Sequence, residues 1–90
     1  MPRYVENRDN VYAAVDSERT YQNKWDNAES EGNHSIVEFI AYMQDYLNEA
    51  MHMQSRNAAE HVKKQCLDNM RKVTALGVAC MEQHGAPHRE

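Results

Sequence analysis

Apolar residues recur along this chain at spacings of three and four, in three separate stretches, and a helix is the only regular element that fits them. In the first stretch Val11, Tyr12, Val15, Gln22 and Trp25 share a thin stripe, and Asp9 precedes it as an N-cap. The pattern predicts a helix over residues 9–25. The second stretch carries the clearest local signal. Ser35 is followed three residues later by Glu38, a capping box in which the serine oxygen accepts from the Glu38 N–H and the carboxylate reaches back to the Ser35 N–H. From there Ile36, Ile40, Met43, Leu47, Ala50 and Gln54 follow a four-three rhythm, with Phe39, Tyr42, Tyr46 and Met53 alongside. That is a helix over 35–54 with a wide apolar face.

The third stretch predicts a helix over 58–84, with Asn57 and Glu60 as its capping pair. Val62, Cys66, Met70, Val73, Gly77 and Cys80 line one face, and Leu67, Thr74, Val78 and Met81 line the next. Gly85 and Pro87 end it. Gly77 inside it costs about 1 kcal/mol relative to alanine. Close approach of another helix, in the same chain or a second copy, is the expected reason. Residues 26–34 are acidic, small and polar, and read as a linker. A short connection between the second and third helices makes them antiparallel neighbours. The expected architecture is therefore all-α: one domain over 1–90, with a short N-terminal helix and a long antiparallel hairpin.

Size changes that picture. At 90 residues the core is small, and a two-helix hairpin has two apolar sides of which it covers one, so a homo-oligomeric helical bundle is expected. The net charge of −4 argues against a nucleic-acid partner. No apolar run reaches the length of a membrane span, and the N-terminus lacks a signal-peptide core, so the expected setting is cytoplasmic. Cys66 and Cys80 stand roughly 21 Å apart on one helix, too far for a mutual disulfide.

Candidate chemistry is concentrated at the end of the first helix. Arg19 and Lys24 can hold phosphate or carboxylate oxygens, the first as a fork and the second as a point charge. Tyr21 and Trp25 are four apart and could stack on a purine, while Gln22 offers a donor and an acceptor to a base edge. Arg71 and Lys72 are the strongest cationic pair elsewhere, and His34 stands at a helix start whose free N–H groups suit an anion. Tyr12 completes the expected pocket. The plain alternative is structural: the aromatics dock the short helix, and Arg19 pairs with a neighbouring carboxylate.

The carboxylates give a second reading. Glu38, Asp45 and Glu49 on the second helix, with Asp68 on the third, could hold Mg²⁺ in a nucleotide pyrophosphohydrolase. The paired Glu-Glu-x-x-Glu element of such enzymes is missing. Glu49 and His52 form a single Glu-x-x-His element, where a di-iron bundle needs two such elements and two more glutamates on other helices. The histidines and cysteines show no zinc spacing, and there is no glycine-rich phosphate loop.

Three segments together resemble a group of small helical phage and prophage proteins sometimes labelled MazG-like. They are Val15-Asp16-Ser17-Glu18-Arg19-Thr20-Tyr21-Gln22-Asn23-Lys24-Trp25, His34-Ser35-Ile36-Val37-Glu38, and Arg71-Lys72-Val73 leading to Val78-Ala79-Cys80-Met81-Glu82-Gln83-His84-Gly85-Ala86-Pro87. The resemblance covers nearly the whole chain. It implies a phage setting, in which small helical oligomers include anti-defence proteins that sequester cyclic nucleotides or cyclic ADP-ribose-type signals without cleaving them. The function expected on that basis is a nucleotide-signal sponge needing no cofactor. Tyr12, Arg19, Tyr21, Gln22, Lys24, Trp25, His34, Arg71 and Lys72 would form its site. The alternatives are a Mg²⁺-dependent pyrophosphohydrolase and a protein-binding inhibitor that uses the Tyr42/Tyr46/Met53 stripe.

Overall fold

The computed structural model describes residues 3–24, 33–56 and 59–90, with only the backbone of 54–56. Those residues form three helices and no strand: α1 (Arg8–Asn23), α2 (Ile36–Arg56) and α3 (Glu60–His84). Asn7 caps α1, accepting from the Asn10 N–H at 2.8 Å, so Asp9, the expected cap, sits in the first turn instead. There its charge still complements the helix dipole. The expected cap of α3 at Asn57 and the expected linker residues Asp26 to Gly32 lie outside the described residues.

The Ser35–Glu38 capping box is formed. Ser35 N–H donates to Glu38 Oε1 at 2.8 Å, and Glu38 N–H donates to Ser35 Oγ at 3.1 Å. It fixes where α2 starts and, with the bonds that follow, where it docks. His34 N–H donates to Gln83 Oε1, and His84 Nε2–H donates to the His34 carbonyl at 2.7 Å. Phe39, buried to 2% exposure, meets the His34 and His84 rings edge-on.

Further along, Met43 lies over Gly77, Asn69 donates to the Tyr46 carbonyl, and the Cys66 thiol donates to the Ala50 carbonyl. Rising numbers on α2 meet falling numbers on α3, so the two axes run in opposite directions. α1 packs on a different flank of α3 and does not touch α2. Ala75, fully buried, and Ala79 lie on this α1 flank with Arg71 and Glu82, at steps of three and four. Their short side chains let α1 approach. α3 is thus the shared element. It buries Val62, Val73, Ala75, Ala79 and the polar Asn69, whereas α2 buries Phe39 and α1 buries a charged residue, Glu18.

The two helix-3 glycines differ in what they permit. A Cβ built on Gly77 would stand 3.5 Å from Met43 Cε, an ordinary contact with the end of a flexible side chain, so packing inside the protomer does not demand glycine there. Gly85 closes α3 by donating to the Met81 carbonyl at 2.8 Å with φ 122° and ψ 150°, a region open essentially to glycine alone. This is not the left-handed helical cap the sequence suggests, but it imposes the same residue. Gly77→Ala should therefore raise stability by up to about 1 kcal/mol. Gly85→Ala should lower it by about 1–3 kcal/mol. Urea midpoints of the two variants read both signs.

Candidate functional site

The α1/α3 seam is built from charge. Glu18 sits on the inward stripe of α1 at 8% exposure, and Arg71 Nε–H donates to it at 2.8 Å while its Nη1–H donates to Asp68. Lys64 closes the row by donating to Asp68 at 3.1 Å. At the next residue of α1, Arg19 Nε–H donates to Glu82 at 2.6 Å and its Nη1–H to Asn23. Gln22 reaches the backbone of α3, donating from Nε2 to the Lys72 carbonyl at 3.3 Å. Its Oε1 is buried without a partner among the described residues.

The electrostatics follow from these contacts. Hydrogen bonding to Glu18, then to Asp68, holds the Arg71 guanidinium above its ordinary pKa. Hydrogen bonds from Arg71 and then Lys64 hold Asp68 below the carboxylate range. At the far end of the hairpin seam, the Ser35 N–H and then its hydroxyl depress Glu38.

The seam holds the side chains of three of the nine expected ligand residues, Arg19 and Gln22 from α1 and Arg71 from α3, and Lys72 meets it only through its backbone carbonyl. Both arginines are already paired with carboxylates. Lys72 is not; its Nζ lies 5.5 Å over the Tyr46 ring. Beside it Glu49, Met53, Gln65, Asp68 and Asn69 line a shallow polar recess of about 230 Å³. Tyr12, Tyr21 and Lys24 are exposed on α1 or just beyond it. Trp25 lies outside the described residues. His34 belongs to the other end of α3, tied to Gln83 and His84. That is about 18 Å of helix from Arg71 and Lys72.

Of the alternative metal set, Glu49 and Asp68 share the recess, Glu38 is engaged by the capping box, and Asp45 is exposed on α2. Among the described residues no three His, Cys, Asp or Glu side chains converge as a metal ion requires. The seam carboxylates Glu18 and Glu82 were not singled out as site residues. No sequence signal pairs Glu18 with Arg71 53 residues away, whereas the Lys64–Asp68–Arg71 row was readable from its spacing. No family profile, curated protein or solved structure matches the chain.

Two predictions follow from the charges. Arg71→Met strands a buried carboxylate and should cost about 2 kcal/mol, while adding Glu18→Met should restore most of that loss. A double mutant as unstable as the single would contradict the pairing. Because folding depresses Glu38, its contribution is complete above its unfolded pKa of about 4.3 and is lost as the pH falls through the lowered folded value. The stability gap between the wild type and Glu38→Ala should thus be full at neutral pH and close in acid. A gap that persists unchanged to pH 2 would show that the carboxylate is not what matters.

Proposed function

We propose that this chain is the subunit of a helical homo-oligomer, built on the antiparallel α2/α3 hairpin, that binds and withholds a nucleotide-derived signal without cleaving it. In the phage setting its resemblance implies, that is an anti-defence role. The observation that carries the reading is the Gln22 carbonyl oxygen. It is a buried acceptor with no donor among the described residues, on the α1/α3 seam beside the Lys72 backbone carbonyl. Leaving such a group unsatisfied costs about 1–3 kcal/mol. A ligand bearing N–H or O–H groups beside phosphates would supply the donor, and the cations would take its charge.

The arginines are not idle in this scheme. Glu18, Asp68 and Glu82 hold the guanidinium groups in place. A phosphate would either displace a carboxylate or add to the edge left free, since a guanidinium carries five donors. Among the described residues neither Lys72 nor Lys24 has an ion pair to break in turning to an anion. The exposed tyrosines of α1, Tyr12 and Tyr21, supply rings for stacking.

The test is to incubate the full-length protein with linear and cyclic nucleotides and Mg²⁺, wash it, denature it by heat, and identify the released material by mass spectrometry. An intact cyclic or ADP-ribose-type molecule is the expected result. Cleaved products would return the acidic residues Glu38, Asp45, Glu49 and Asp68 to the centre. Release of nothing would end the reading. Lys24→Ala and Lys72→Ala should each weaken capture about tenfold, the value of one charged hydrogen bond, with helix content unchanged. Arg71→Ala is a poorer probe, because it also loosens α1.

A further inference from the structure

Met43 and Tyr46 face α3, and their positions fix how α2 is rotated. Ile36, Ile40, Leu47 and Met51 then fall on one flank of the α2/α3 pair, and all four are between 41% and 72% exposed. On α3, Leu67, Met70 and Met81 fall on the same flank, past Gly77, and are 59%, 51% and 46% exposed. The opposite flank holds the polar recess and the acidic side chains of α2, Glu38, Asp45 and Glu49. Tyr42, 43% exposed, stands with those carboxylates, but the continuous apolar stripe is the one on the open side, which is the pattern of a buried face.

The areas point the same way. A folded chain of 10.5 kDa ordinarily exposes about 5,400 Å². This one exposes 7545 Å². The excess of about 2,100 Å² is shared between this flank and the exposed apolar side chains of the N-terminal segment and α1, and it exceeds the roughly 800 Å² per partner that a standard interface removes. The radius of gyration is 14.7 Å against about 12 Å for a compact domain of this length. No described large side chain is fully buried, so the protomer lacks the core that a stable 90-residue domain needs.

We infer that two copies of this chain pair face to face through the flank of Ile36, Ile40, Leu47, Leu67, Met70 and Met81. The occupant is a second copy because the missing area belongs to every protomer, and a two-fold contact requires only this one patch on each. Lys63 stands one turn before Leu67 on this flank, but a single lysine is no basic rim for a lipid headgroup, and the net charge of −4 opposes an anionic membrane. Closing the flank leaves the α1/α3 seam and the polar recess outside the contact, open to a ligand. This inference rests on the oligomeric half of the proposed function and gives it a surface.

The experiment is sedimentation equilibrium of the full chain, alongside Ile40→Glu on α2, Met70→Glu on α3 and Asp45→Lys on the opposite flank. The wild type should sediment at twice 10.5 kDa or an even multiple built from that pair. Each glutamate variant should raise the dissociation constant about a hundredfold or more, and Asp45→Lys should leave it unchanged. Circular dichroism checks that each variant stays helical. Met51→Lys, at the most exposed position of the stripe, replaces any variant that does not.

A wild type that sediments as a monomer at every concentration would overturn both this surface and the oligomeric reading. An oligomer that survives both glutamate substitutions would overturn this surface alone. A monomer that co-sediments with phosphatidylcholine vesicles, or that pairs only with a foreign protein, would assign the flank to that partner and overturn the inference.

Discussion

Everything in this protomer hangs on α3, which has to present two docking flanks of different chemistry to two helices that never meet. Toward α2 it offers Val62, Val73, Cys66 and the contact of Gly77 with Met43, closed at one end by the His34–His84 and Phe39 cluster. Toward α1 it offers alanines framed by Arg71 and Glu82. The first contact is driven mainly by excluding water from apolar surface. The second depends on matching charges, of which the Arg71–Glu18 pair is the more buried. A partly buried pair of this kind adds little net stability but is costly to break on one side. It therefore acts on orientation: α1 can sit in one register or not sit at all.

That arrangement explains why the cations are where they are and what they are free to do. Arg19 and Arg71 are structural in the protomer, since each pins α1 through a carboxylate. The same contacts hold them oriented along the α1/α3 seam, which a flexible surface arginine would not be. A binding reading and a structural reading of these residues are thus compatible, because the groups that dock α1 also form the floor of the seam. Lys72, resting on Tyr46 at the edge of the recess, differs in kind. Among the described residues its charge meets the ring quadrupole, which releases it at a cost of about 0.5–1 kcal/mol.

Much of the secondary structure was legible in the sequence because it is written locally. Ser35 and Glu38 specify the start of α2 within four residues, Gly85 specifies the end of α3, and the three-four rhythm specifies helices between them. What was not legible depends on residues far apart in the chain. Nothing near Glu18 marks it as a buried ion-pair partner, and nothing near Arg19 selects Glu82 over Asp16 or Glu18. Nor could spacing decide which apolar stripe would be covered. Phe39 and the Met70–Met81 stripe look alike in the sequence, yet one is the most buried apolar side chain of α2 and the other is open. His34 reads as an anion-site residue from its place at a helix start, but its backbone is taken by Gln83 and His84.

The central claim is that the protomer is incomplete and that a second copy finishes its core. Folding would then be coupled to association, and stability would depend on mass action. The direct measurement is the urea or thermal unfolding midpoint of the wild-type chain over a hundredfold range of protein concentration. The account predicts a midpoint that climbs steadily with concentration. A midpoint that does not move would mean that the protomer is stable with its apolar flank in water, and would contradict the account.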